Sequence, residues 1–331
     1  MIQNISIVIC CYNSEAVLTP TLEALSRQSL AKERFEVIAV DNNCTDRSME
    51  IVQRLLTPGG ISYRIVQEPV AGLMHARRTG VRHAHNDLLL FVDDDNILAD
   101  DYLEKLLAIY RRNPLVGVAG SRVEPLVADD TPEWFEQFGG VYACGEQAPD
   151  SQDVTYGRMT LFGAGLSFRR ELIHGIFFDD PELFLTGRTG NLLLRGDDSE
   201  LCMRAILRGW RVWYDKGLLL QHNILPCRIH WSYVEQARFG GGAASIILER
   251  YRAVILERPV HSFLSDLIRS LRDYVKLALR RCLNRSDAPG STEAFHYWFL
   301  KGRLYGLFTY GPRRISVITQ QIKHLKHERR P

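Results

Sequence analysis

In the first third of the chain the apolar residues fall in short, nearly unbroken runs separated by stretches of helical spacing. Ile5 to Cys11 (ISIVICC) and Phe35 to Val40 (FEVIAV) would be apolar on both faces if extended, which is the pattern of strands covered from two sides. Asn13 and Ser14 offer capping oxygens for a helix running toward Gln28, with Pro20 disturbing its first turns. A helix over Asp46 to Leu56 closes at Pro58-Gly59-Gly60. Strand Ser62 to Gln67, helix Leu73 to Ala84, strand Leu88 to Val92, helix Asp101 to Arg112 and strand Val116 to Gly120 continue the alternation. This order predicts an α/β fold, a Rossmann-like, mostly parallel sheet flanked by helices.

After about residue 121 the alternation weakens, and Ala128 to Tyr156, rich in acidic, Pro, Gly and aromatic residues, reads as an insertion or lid. Strand signals return at Thr160 to Phe168, Arg211 to Tyr214 and Leu218 to Gln221, with a helix at Ser199 to Arg208. From His261 onward, Phe263, Leu267, Leu271, Val275 and Leu279 mix with Arg269, Arg272, Lys276 and Arg280 at the spacing of an amphipathic helix. An aromatic and basic stretch, Phe295 to Arg314, follows an Asn284 to Ser291 linker.

Composition changes this picture little, since 331 residues with 46% hydrophobic and 24% charged content describe an ordinary folded protein. A net charge of +2 does not favour nucleic acid as a partner. The distribution is less even: residues 259–331 carry fourteen Lys and Arg against five Asp and Glu, so a basic tail follows an acidic body. With Tyr297, Trp298, Phe299, Tyr305, Phe308 and Tyr310, that tail suits either a solvated helical layer or a bilayer interface carrying anionic lipid. The seven cysteines are scattered and form no CxxC pair, so neither a disulfide framework nor a zinc site is expected. No signal-peptide pattern and no apolar run of about 20 residues is visible, which points to a cytoplasmic protein, peripheral at most on the inner face of the plasma membrane.

Three acidic segments carry candidate chemistry. Phe91-Val92-Asp93-Asp94-Asp95-Asn96 ends a buried strand. Its adjacent carboxylates repel and are costly to desolvate without a cation, while residues two apart in an extended chain point the same way. That suits Mg2+ or Mn2+; an acidic helix start is the plainer alternative. Asp41-Asn42-Asn43 also closes a buried strand, at the sheet edge where open α/β folds bind ligands, and either contacts a nucleobase or ribose or forms a turn. Arg195-Gly196-Asp197-Asp198-Ser199-Glu200 precedes a helical pattern and either caps it or supplies a general base. Two weaker signals are Gly163-Ala164-Gly165, an acceptor-side loop or a close-packing site, and Arg238-Phe239-Gly240-Gly241-Gly242, a diphosphate-facing lid or a hinge.

Taken in order, Ile7 to Asn13, Val40 to Asp46, Ala76-Arg77-Arg78-Thr79-Gly80, Phe91 to Asn96 and Gly196-Asp197-Asp198 closely resemble the family 2 glycosyltransferases over roughly Ile5 to His222. The resemblance implies a GT-A fold and an inverting enzyme. On it, residues 1–225 form the catalytic domain, with a nucleotide half to about 121 and an acceptor half from about 122, and residues 226–331 form a basic helical extension. Cys11, Tyr12, Asn13 and Glu15 lie where the family surrounds the nucleobase, Asp41 is its base-contacting acid, and Arg77 sits near the nucleotide. Asp93 and Asp94 are assigned to the nucleotide, Asp95 with Asp93 and His222 to the metal, and Asp198 is the catalytic base. Asp197 stands where the family has Glu and is a second candidate, and Gly165, Asp197 and Arg238 are placed on the acceptor and lid side. Cys11, Asn42-Asn43 and Arg78 depart from the usual pattern in ways that bear on base preference.

The implied reaction moves a sugar from a nucleoside-diphosphate donor, UDP-linked by family frequency, to a hydroxyl of a glycan or lipid-linked acceptor in cell-surface polysaccharide synthesis. Two rivals use the same inventory. A sugar-phosphate nucleotidyltransferase would want a Gly-rich phosphate loop where Tyr12-Asn13-Ser14 stands, and a non-catalytic nucleotide-sugar-binding or membrane scaffold would need no base.

Overall fold

The computed structural model describes residues 2–187, 195–284 and 288–327; part of the linker expected at 284–291 therefore lies outside the described residues. Strands β1 (Ile5–Cys11), β2 (Phe35–Asp41), β3 (Ser62–Gln67) and β4 (Leu88–Asp93) pair in parallel in the order β3-β2-β1-β4. Their unbroken apolar runs follow from cover on both faces. Helices α1 (Leu18–Ser26) and α2 (Ser48–Leu56) bury Leu22, Leu25 and Val52 against Ile7, Ile9 and Val37. On the other face α3 (Leu73–His83) brings Met74, Ala76 and Val81 to Val8, Ile38 and Val40.

The α/β class and the helical extension agree with the sequence reading, but the parallel arrangement is interrupted beyond β4. Short β5 (Asn96–Leu98) leads to α4 (Tyr102–Arg112) and the long β6 (Val116–Leu126). The connection onward holds only the single-turn α5 (Trp134–Phe138) and the two-residue β7 (Gln152–Asp153) before β8 (Ser167–Arg169). Lacking the helical crossover that a parallel neighbour requires, β8 lies antiparallel to both β4 and β6. The strand expected over Thr160 to Phe168 shrinks to these three residues because Met159 and Gly165 take positive φ and turn the chain. Helices α6 (Arg170–Phe178) and α7 (Asp197–Leu207) follow. The two strands expected over 211–221 are one, β9 (Arg211–Asn223), parallel to β6 with a register shift at Ser121/Arg122 and antiparallel to β5.

Beyond the sheet lies a layer of three helices, α8 (Trp231–Ile255), α9 (Phe263–Asn284) and α10 (Thr292–His327), the last broken at Gly311 and Pro312. The glycines read as a lid or hinge sit inside α8. Gly242 faces the Phe299 carbonyl of α10, and Gly302 of α10 faces the Phe239 carbonyl, so side chains at either position would collide with a neighbouring backbone. The glycine run is a close-packing seam between helices. Ion pairs fix the layer, with Arg250 to Asp266 at 2.5 Å and Arg303 to Glu249 at 2.7 Å. The expected lid over Ala128 to Tyr156 is instead packed down: Phe138 lies against Trp231 and Phe295, and Tyr142 stacks on Tyr233 at 5.1 Å.

Candidate active site

Strand register puts the acidic segments on one edge. Because β1 lies between β2 and β4, Cys11 pairs with Asp41 on one side and Cys10 with Asp93 on the other, so both carboxylates leave the sheet at the same end. The chain past Asp93 turns into β5, whose pairing with β9 sets Asn96 opposite His222. Asp95 and His222 are thereby neighbours, with Asp95 Oδ2 3.2 Å from His222 Nε2.

His222 Nδ1 lies 2.8 Å from the Tyr142 carbonyl, which only accepts, so Nδ1 carries a proton and Nε2 is aimed at Asp95. Arg228 also donates to Asp95 Oδ2, at 2.8 Å. Burial opposes charge on both partners. Their contact nevertheless lifts the imidazole to about 10 and holds Asp95 below the usual carboxylate range.

The base candidate arrives from the opposite side of the cleft. Arg77 of α3 is buried, with its guanidinium 5.0 Å from the Phe91 ring centroid. It ion-pairs with Asp198 at the start of α7 and lies 3.4 Å from Asp93 and 3.5 Å from Asp197. One guanidinium thus ties residue 198 to residue 93, two positions before Asp95. Gly163 faces the Asp198 carboxylate so closely that a methyl group there would displace it.

Carboxylates outnumber cations in this cleft, and their protonation shows it. Burial first, then repulsion from Asp95, pushes Asp94 up to about 7. Burial and Asp198 do the same to Asp197, and Asp93 is raised by burial against the pull of Arg77. Among the described residues no three His, Cys, Asp or Glu side chains are already gathered as a metal-ligand set. The donors nevertheless fit a divalent cation, with carboxylate oxygens and one imidazole beside an excess of negative charge.

At the ends of β1 and β2, Asp41 accepts from the Cys44 amide at 2.8 Å, and Asn13, at φ 52, accepts from the Thr45 amide at 2.8 Å. Glu15 pairs with Arg47, and Tyr12 projects with 64% of its surface exposed. Asn42 ties the Glu68 and Val70 carbonyls and the Gly72 amide together, walling the cleft.

Four sequence-level placements are corrected. Cys11 is fully buried in the core and its carbonyl is occupied by the Asn42 amide, because strand alternation turns its side chain away from the edge. Asp94 turns back onto the Ser14 hydroxyl, with its carbonyl held by Thr21, and so braces the loop after β1. Gly165 packs against Tyr102, Ser121 and Leu220, and Gly163 is the glycine that meets the base. Arg238 lies on α8 with its guanidinium 4.0 Å and 4.6 Å from the Phe295 and Phe299 ring centroids, where burial lowers it to about 10; it is part of helix packing and not of a lid. Sequence reasoning missed Arg228, which ends a short 3-10 turn and carries no motif.

The Glycosyl transferase family 2 model matches residues 6–177. Among curated relatives, the glucosyl-dolichyl phosphate glucuronosyltransferase of Haloferax volcanii is 25% identical over 74% of this chain and 77% of its own length. The poly(ribitol-phosphate) beta-N-acetylglucosaminyltransferase TarS of Staphylococcus aureus is 30% identical over 30% of this chain, a match spanning 17% of that protein. In fold, the chain is similar to S. aureus TarS 1–349 in complex with UDP (TM-score 0.55, 16% identity, 98% of this chain and 90% of that one). It is likewise similar to the mannosyltransferase PcManGT of Pyrobaculum calidifontis in complex with GDP-Man and Mn2+ (TM-score 0.57, 15% identity, 94% and 89%).

Proposed function

The chain belongs to glycosyl transferase family 2, and from that premise we propose that it transfers a sugar from a nucleoside-diphosphate donor, UDP-linked, to a hydroxyl of a glycan or lipid-linked acceptor with inversion at the sugar carbon. The observation that carries this reading is the single buried guanidinium of Arg77 bridging Asp198 and Asp93. It supports a cleft in which a base and a diphosphate site lie side by side. Asp198 removes the acceptor proton as the hydroxyl attacks the sugar carbon from the face opposite the diphosphate. Arg77 holds Asp198 in place, and Gly163 leaves the room it needs. Tyr12 offers a ring on which a base stacks, and Asp41, Asn13 and Glu15 line the nucleotide side.

Asp95, Asp93 and His222 would hold a divalent cation, Mn2+ in preference to Mg2+ because an imidazole would be among the ligands. When bound, that cation offsets negative charge growing on the departing diphosphate. Tyr142 keeps His222 oriented, and Arg228 is a second positive group within reach of the same oxygens. Residues 1–225 act as the catalytic domain. The Haloferax relative, a glucosyl-dolichyl phosphate glucuronosyltransferase, supports a lipid-linked acceptor. Work on the cytoplasmic face in surface polysaccharide synthesis fits that acceptor, and no helix among the described residues is long and apolar enough to cross a membrane.

The deciding experiment pairs Asp198→Asn with donor binding. Transfer is expected to fall by about a thousandfold, while UDP with Mn2+ still raises the melting temperature. Undiminished transfer would remove Asp198 from the mechanism, and pyrophosphate release from nucleoside triphosphate plus sugar phosphate would replace transfer with nucleotidylation.

A further inference from the structure

The inner face of α9 is fully committed. Asp266 and Ser270 are buried against Arg250 and Arg303, and Tyr274 hydrogen-bonds Tyr297 at 2.9 Å, so the helix is locked in rotation by α8 and α10. Its outer face carries Leu264, Ile268, Leu271, Val275 and Leu279, exposed by 40–62%. Their spacing of three and four residues aligns them in one aliphatic stripe about 22 Å long. Leaving five aligned aliphatic side chains in water is costly, and the same residues could be polar without loss to the fold.

One residue after each of the last four members of the stripe stands a cation, Arg269, Arg272, Lys276 and Arg280. That offset of one residue rotates the second row by about 100°, so a row of positive charge runs parallel to the aliphatic row along one flank. On α9 the acidic residues are Asp266, buried and paired with Arg250 at 2.5 Å and with Arg269 at 2.6 Å, and Asp273, paired with Arg272 at 2.9 Å; Arg269 also lies 3.8 Å from Glu249 of α8. The flank therefore keeps a net positive charge.

We infer that this outer face of α9 docks on an anionic bilayer surface, with the aliphatic row entering the headgroup boundary and the cations at phosphate level. The charge decides between the two natural occupants of such a stripe. A second copy of the chain would bring like-charged flanks together, whereas self-associating helices carry opposite charges beside the seam. An anionic lipid surface attracts each Lys or Arg near it, and the attraction adds to burial of the stripe. The inference does not depend on the transfer reaction, since it concerns helices remote from the Arg77 cluster.

The test is co-sedimentation of the full chain with vesicles of phosphatidylcholine alone or with about 30% phosphatidylglycerol, at low and high salt. Binding to the anionic vesicles is expected to be at least about tenfold tighter and to weaken with salt. Ile268→Glu with Val275→Glu should abolish binding to both vesicle types, while Arg272→Gln with Lys276→Gln should remove only the anionic preference. Both double variants should keep the wild-type melting temperature and its upward shift with UDP and Mn2+. Failure of the wild type to bind anionic vesicles, or unchanged binding by the glutamate variant, overturns the inference. A wild-type dimer that the glutamate variant splits, without vesicle binding, overturns it in favour of self-association.

Discussion

Two buried ion clusters meet on α7 within one helical turn, and they are built in opposite ways. Asp197 and Asp198 face the cleft, where Arg77 serves three carboxylates; Asp197 is pushed up to about 7 by burial and by Asp198, and nearby Asp94 likewise by burial and by Asp95. Glu200 and Arg204, a few residues on, are wholly buried and fully engaged. Glu200 accepts from Arg204 at 2.8 Å, from the Tyr251 hydroxyl at 2.8 Å and from the Phe184 and Leu185 amides at 3.1 and 2.8 Å. Arg204 also donates to the Pro181 and Glu182 carbonyls at 2.6 and 2.9 Å. In the second cluster the buried Glu200–Arg204 pair is matched donor to acceptor and anchors α7 to α8; the first is short of positive charge and opens to solvent through Asp93 and Asp198. A buried charge cluster left short of partners is the signature of a place where a ligand completes the set.

The contrast can be broken at its satisfied end first. Arg204→Met leaves Glu200 buried without its cation and should cost about 3–5 kcal/mol of stability, read as a lowered denaturation midpoint that Mn2+ and UDP do not restore. Arg77→Met should cost about 3 kcal/mol and abolish transfer, but here a divalent cation should recover part of the stability, because it replaces the missing positive charge. If the metal rescued neither variant or both alike, the two clusters would not differ in kind.

Gly163→Ala sharpens the comparison on the catalytic side alone. Its methyl group meets the Asp198 carboxylate, so turnover should drop about ten- to a hundredfold with little change in melting temperature. The smallest effect is titration. The folded state raises Asp197 from its ordinary 3.8 to about 7, so the unfolded chain ionises first as pH rises. Stability present below pH 4 is therefore lost progressively up to about pH 7 at this site. Denaturation series across that window should show the decline in the ligand-free protein, and Asp197→Asn should lessen it, leaving the part that Asp94 contributes.

Much of this was legible in the residues. The runs ISIVICC and LLLFV end in or lead to polar groups at one sheet edge, and pairwise strand register turns that local pattern into a shared cleft. The legible parts depend on neighbours in sequence. Cys11 and Gly165 were misread because whether a residue faces a cleft or a core depends on which strand lies beside it. Three glycines in succession look like a hinge, yet they lie inside α8, where Gly242 is a point at which α10 packs. Arg228 carried no signal, since its value lies wholly in reaching Asp95.

The sequence by itself determined the alternation of strands and helices as far as β6, the short β5 apart, together with the acidic strand ends and the amphipathic α9, since each arises from periodicity and residue type over a few turns. The tertiary structure alone decided that Arg77, Asp93 and Asp198 share one guanidinium while Glu200 and Arg204 satisfy each other. Charge interactions depend on distance and burial in space, and 121 positions of chain separate Arg77 from Asp198.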